Sequence, residues 1–286
     1  MTTTPALDDV RAQIDAIDDQ IQDLIMRRAE LVSLVVAAKG ASTTAGVARP
    51  GREAAIVRRL LGRHGGPFPA SALVRIWREL MSSFVQMQAS VAVAVALPPD
   101  DVLGFWDVAR DHFGSVTPLL PVNSQMAALR AIGEGTATFA VLPVPLDDDP
   151  DPWWRALATD DAGAPRICMR LPFATAPDAY ERACYVLGTI RAEATGHDCS
   201  GLIVELGRDM SRGRLKDALT AAGLPPRSFR SLFDSKVEGA SQHLVEIAEA
   251  VAPGDPRLDH LREALGESFV RVTVVGCWPD PVRLPA

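Results

Sequence analysis

Apolar positions between Leu7 and about Gly40 recur as Val10, Ile14, Ile17, Ile21, Leu24, Ile25, Leu31, Val32 and Val35, a helical rhythm uninterrupted by Gly or Pro. It predicts one long helix, with Asp8 or Asp9 capping its start and Gly40 ending it. At 1.5 Å per residue such a helix runs about 50 Å, more than a small domain is wide. A short hairpin of the same chain does not cover that length, so a helical dimer is expected. The polar stretch from Ala41 to Gly46 precedes a second helical pattern from about Pro50 to Arg63, where Pro50 suits the first helical position. His64-Gly-Gly-Pro67 breaks it. Ser71 to about Ala89 then reads as a third helix with Leu73, Ile76, Trp77, Leu80 and Phe84 inward.

Past residue 90 the texture changes. Val91 to Leu97 alternates Val and Ala, as a buried strand does. A helical pattern follows over Asp101 to Phe113, a strand near Val116 to Leu120, a helix over Ser124 to Glu134 and a strand over Thr138 to Leu142. This alternation predicts a parallel sheet with right-handed crossovers. Asp147 to Pro152 is acidic and Pro-rich, the mark of a solvated linker, and the adjacent Trp153 and Trp154 read as hydrophobic plugs. From Gly201 the order is strand (Leu202 to Leu206), helix (Ser211 to Ala222), strand (Ser228 to Phe233), strand (His243 to Ala250), helix (Pro256 to Leu265) and strand (Phe269 to Val275). That βαββαβ order is ferredoxin-like. The expected organisation is a three-helix segment over 1–90, an α/β region over 91–198 and a ferredoxin-like α+β domain over 199–286.

The 286 residues allow two or three modest cores, and a net charge of −7 argues against a general nucleic-acid binder. No apolar run is long enough to span a bilayer, and Met1 to Asp9 has the features of no secretory leader, so a cytoplasmic protein is expected. The four cysteines (Cys168, Cys184, Cys199 and Cys277) lack CxxC spacing and no His cluster accompanies them. They read as free buried thiols, with neither metal nor cofactor expected.

Charge on the helical segment is more informative. Arg11, Arg28 and Lys39 lie along the long helix, and Arg52, Glu53 and Gln88 lie on the return. Cations inside an apolar bundle are unfavourable unless an anion meets them, and a small dicarboxylate is the simplest candidate. Lys39 is the only lysine before Lys216 in a chain that otherwise uses arginine. Arg28 and Lys39 are eleven positions apart and share a face at about 100° per residue, whereas Arg11 points elsewhere.

The stretches Val10-Arg11 with Ile14-Asp15-Ala16-Ile17-Asp18, Arg27-Arg28-Ala29-Glu30-Leu31, Ala38-Lys39, Arg49-Pro50-Gly51-Arg52-Glu53-Ala54 and Arg78-Glu79-Leu80-Met81-Ser82-Ser83 carry a resemblance. This part of the chain resembles the all-helical chorismate mutase family, in the versions fused to prephenate dehydratase in bacterial phenylalanine synthesis. The resemblance implies an intertwined homodimer that rearranges chorismate to prephenate. It implies that Arg28 and the second chain's Arg11 grip the two carboxylates, that Lys39 and Gln88 donate to the breaking ether oxygen, that Glu53 holds the ring hydroxyl and that Arg52 adds charge. Phe84 departs from it, standing where some members place a small polar residue.

Downstream, Val91-Ala-Val-Ala-Val-Ala-Leu97, His112-Phe113-Gly114 and Ala140-Val-Leu-Pro143 resemble the opening lobe of prephenate dehydratase. The Glu-Asn-Ser of that family reads Pro145-Leu146-Asp147 here, its catalytic Thr-Arg-Phe reads Ala183-Cys184-Tyr185, and the stretch between Pro143 and that point is too short for a whole second lobe. An inactive dehydratase-like region is expected. The tail resembles an ACT regulatory domain in Leu202-Ile-Val-Glu-Leu206, Arg212-Gly213-Arg214-Leu215 and the closing Val272 to Pro279. Its phenylalanine-binding Glu-Ser-Arg-Pro reads Arg230-Ser231-Leu232-Phe233, so no feedback by phenylalanine is expected. The expected function is a dimeric chorismate mutase with degenerate downstream domains. A non-catalytic regulatory or binding protein of the same pathway is the first alternative, and a working bifunctional mutase–dehydratase the second.

Overall fold

The computed structural model describes residues 6–39, 48–147, 149, 152–175, 182–190, 193–207, 210–233 and 240–284, although not the side chain of Lys39. The chain opens with three helices: α1 (Leu7–Lys39), α2 (Pro50–Arg63) and α3 (Ala70–Gln88). Asp8 and Asp9 fill the first turn of α1, where the helix dipole favours negative charge. Pro50 stands at the start of α2, as its fixed φ and missing N–H allow. The expected stretch from Ala41 to Gly46 lies outside the described residues.

Along α1 the apolar stripe is uncovered in a single chain. Ile14, Ile17, Ile21, Leu24, Leu31 and Leu34 are exposed, Ile21 by 51 % and Leu24 by 64 %. Besides Val10, the partly buried positions lie toward the C-terminal end, around Ile25, Arg28, Ala29 and Val32, where the helix meets α3. The other two helices are instead bound into the rest of the molecule. Val57, Val74 and Met81 share a core with Phe173 and Leu284. Arg49 of the α2 entry is ion-paired with Glu193, and Arg58 donates to Thr195 Oγ1, His197 O and Asp280 O.

The remainder is built on one nine-stranded sheet of order β2-β1-β3-β6-β4-β10-β7-β9-β8. Strands β1 (Val93–Ala96), β2 (Leu119–Val122) and β3 (Phe139–Pro143) are parallel, with α4 (Val102–Phe113) and α5 (Gln125–Gly133) in the crossovers. Asp101 caps α4 through Gly104 N and Ser124 caps α5 through Ala127 N, so both helix starts are set by residues the sequence makes visible. β1 shows why its Val/Ala alternation matters: Val93 and Val95 enter one core while Ala94 and Ala96 enter the core on the opposite face.

The parallel arrangement expected of β1, β2 and β3 is observed, and two strands not expected from the sequence extend the sheet. Strands β4 (Arg166–Leu171) and β6 (Cys184–Gly188) join it antiparallel, β6 lying between β3 and β4. β5 (Ala174–Thr175) pairs separately with β11 (Val282–Arg283). Trp153 and Trp154 sit in a short 3-10 turn and are core residues, packed among Leu142, Leu157 and Trp278.

The tail forms β7 (Asp198–Leu206), α6 (Arg212–Ala221), β8 (Pro226–Phe233), β9 (Ser241–Ile247), α7 (Pro256–Leu265) and β10 (Phe269–Pro279). The order β10-β7-β9-β8, antiparallel throughout, is the ferredoxin-like arrangement expected from the βαββαβ order. Its outer strand β10 also pairs with β4, at Gly276 and Ile167, so the tail continues the sheet of the preceding region.

Candidate active site

Arg28 is the focus of the helical segment. Its guanidinium carbon lies 4.2 Å from the centre of the Phe84 ring, a cation–π stack between α1 and α3. Its Nη1 is buried and meets no acceptor among the described residues. Burial, and secondarily the positive charge of Arg52, pull the Arg28 pKa down. A buried charged donor left unmet costs about 1–3 kcal/mol or more.

Around Arg28 the structure gathers some of the expected residues. Arg52, at the start of α2, is exposed and near enough for its charge to act on Arg28. Gln88 sits one turn beyond Phe84 and donates its Nε2 to the Phe84 carbonyl at 2.9 Å. Phe84 is buried, so its ring is both a wall of the site and part of the packing.

The other three expected site residues make different contacts, or their side chains lie outside the described residues. Arg11 is exposed and pairs only with Asp8, at 3.3 Å. It precedes Arg28 by seventeen positions, about 26 Å along the helix axis at 1.5 Å per residue. One small ligand does not touch both within a protomer. Lys39 is the last residue of α1, about 16 Å beyond Arg28 and on nearly the same face. Glu53 is engaged by α3: its Oε2 accepts from Arg78 Nη1 at 2.7 Å, and the two side chains keep 15 % and 7 % of their exposure.

Sequence reasoning missed that last partner. Arg78 also donates Nε to the His112 carbonyl at 2.9 Å and places Nη2 2.9 Å from His112 Nε2. A guanidinium only donates, so His112 Nε2 accepts and the ring is neutral. Burial, then the Arg78 charge, hold its pKa well below the usual histidine value. The readable signal was position: Arg78 falls with Val74 and Met81 on the buried face of α3, where a charge needs built partners.

The stretch matched to the dehydratase motif offers little chemistry. Cys184 is buried in β6 with its thiol pKa pushed up by that burial. Tyr185 directs its hydroxyl to Glu246, which Arg170 already clamps at 2.9 and 3.0 Å. Among the described residues no group of three or more His, Cys, Asp or Glu side chains is arranged to hold a metal ion. None of the described helices is long and apolar enough to cross a membrane.

With this geometry in place, comparison with known proteins is specific for the helices. Residues 10–89 match the model of the family described as chorismate mutase type II. A bifunctional chorismate mutase/prephenate dehydratase of Stutzerimonas stutzeri is 30 % identical over 148 residues, covering 50 % of this chain and 40 % of that protein. The protein of the same description from Pseudomonas aeruginosa is 28 % identical over 139 residues, covering 47 % and 38 %. The match thus spans less than half the length of these curated relatives. Among solved structures, a prephenate dehydratase from Streptococcus mutans aligns with a TM-score of 0.47 at 15 % identity, covering 68 % of this chain and 100 % of that one. GqqA, described as a novel type of quorum quenching acylase, aligns with 0.49 at 16 % identity, covering 66 % and 94 %.

Proposed function

We propose, from the premise that residues 10–89 form a chorismate mutase type II domain, that this protein rearranges chorismate to prephenate in a site shared between two copies of the chain. The observation that carries the reading is Arg28: a partly buried guanidinium whose buried Nη1 is unmet among the described residues, beside a second cation. Such a site favours a dianion. The rearrangement is intramolecular and needs neither nucleophile nor proton transfer, so fixed charge and a held conformer suffice as catalysis.

In this reading Arg28 takes one carboxylate and Arg11 of the second copy takes the other, because the 26 Å (roughly) between them within one helix forbids a common ligand. Lys39 and Gln88 donate to the ether oxygen as charge grows there, Glu53 holds the ring hydroxyl and Arg52 reinforces the field. The exposed stripe of α1 is the surface on which the copies join. The downstream α/β region is read as inactive in dehydration, since Ala183 and Cys184 stand in place of Thr and Arg and supply no acid for the departing hydroxyl. The tail is read as an ACT-like domain that has lost its phenylalanine motif.

Loss of chorismate absorbance with purified protein tests the reading. Wild-type turnover is expected, with Arg28→Ala and Lys39→Ala each slower by about a hundredfold or more, as for other preorganised donors. Wild-type rates no higher than those of the two variants contradict it. Phenylpyruvate formed from prephenate contradicts the inactive dehydratase.

One observation favours a second reading, a non-catalytic binding protein of the same pathway. The Phe84 ring stacked on Arg28 already occupies one face of that guanidinium. Capture of chorismate without turnover is its signature.

A further inference from the structure

Arg78 lies on the buried face of α3, 6 % exposed, with every arm of its guanidinium engaged. Nη1 holds Glu53 of α2, and Nε and Nη2 hold the main-chain carbonyl and the ring of His112 of α4. A planar guanidinium fixes direction as well as distance, so these contacts set the Glu53 carboxylate in one orientation. Only Oε2 of Glu53 is held; Oε1 receives no donor among the described residues. The carboxylate therefore has one oxygen anchored and one left to accept a further hydrogen bond.

The anchor of that arrangement lies outside the helical segment. His112 ends α4 of the α/β region, and its ring nitrogen is 3.0 Å from the Met169 sulfur of β4. Ser82, one turn beyond Arg78, also reaches the His112 carbonyl, and Glu79 receives Ser115 N. The downstream region thus sets Arg78, and Arg78 sets Glu53.

We propose that Arg78 is a positioning residue for the rearrangement: it orients Glu53 toward the substrate hydroxyl, and the α/β region holds it in register through His112. The inference rests on the mutase reading and adds a task for the downstream region that needs no dehydratase chemistry. It accounts for a charge on the buried face of α3 that packing alone does not require.

A double-mutant cycle in the full-length chain tests it, with kcat and KM measured for wild type, Arg78→Met, Glu53→Gln and the pair. If Arg78 acts through Glu53, Arg78→Met lowers kcat/KM by at least about tenfold, and the pair is no slower than Glu53→Gln alone within about twofold. If Arg78 only supports the fold, the two losses multiply, and that result overturns the inference. Arg78→Lys keeps charge without the fork; run through the same cycle, it decides the matter should Arg78→Met fail to fold by circular dichroism. Wild-type protein that leaves chorismate unchanged contradicts the mutase reading and this inference together. Turnover with multiplying losses contradicts this inference alone.

Discussion

At the scale of single residues, two side chains, Arg28 and His243, define what the molecule tolerates. Arg28 is held against Phe84 with an N–H unmet among the described residues. His243 is the opposite case, a histidine with both nitrogens engaged, Nδ1 2.9 Å from Ser231 Oγ and Nε2 3.0 Å from Ser241 Oγ. Burial first, and the nearby Arg212 charge second, push its pKa down to about 4. The unfolded chain protonates the same group near pH 6.5, so below that value the unfolded state binds the extra proton and gains on the folded one. Stability is full above about pH 6.5 and falls as pH drops toward 4; this residue alone removes about 2 kcal/mol by pH 5. His112 shifts in the same direction. Urea unfolding at pH 7 and pH 5 checks it: the difference should shrink by that amount in His243→Asn, and an unchanged difference contradicts it. The sequence displayed Arg28 and Gln88, because their neighbours matched a motif. It did not display Arg78 or His112 as partners, because they are 34 positions apart and only the fold brings them together.

At the scale of elements, the helices are legible and four strands, β4, β5, β6 and β11, are not. The 3.6-residue rhythm of α1, and Pro50 and the capping Asp101 and Ser124 at later helix starts, gave boundaries close to those observed. β4 and β6 escaped because short, doubly buried runs such as Cys184–Gly188 carry no alternation, and periodicity alone does not separate them from helix. The uncovered stripe of α1 makes its own prediction. Ile17 and Ile21 are each more than half exposed in one chain, an expanse that soluble monomers avoid. Asp at both positions should convert a dimer to a monomer in sedimentation velocity and abolish turnover, while the pairing of β1 to β10 stays intact by circular dichroism. A dimer that survives both substitutions contradicts assembly through α1.

At the scale of the whole molecule, the sheet joins regions that sequence texture separates. The seam runs where β10 crosses β4, and Gly276 permits it: a Cβ there would lie 2.2 Å from the Ile167 carbonyl oxygen. Gly276→Ala should lower stability by about 3 kcal/mol, visible as a drop of several degrees in Tm; an unchanged Tm contradicts the close approach. In the same structure α2 and α3 are fastened to the α/β region while the apolar stripe of α1 is uncovered. The most direct measurement of that shared site is complementation. Arg11→Ala and Arg28→Ala chains, each inactive alone, are co-expressed and assayed for chorismate loss. A heterodimer of the two carries one intact site out of two, so random pairing should restore about a quarter of wild-type activity. Activity no greater than that of the separate variants would contradict a site built from two chains.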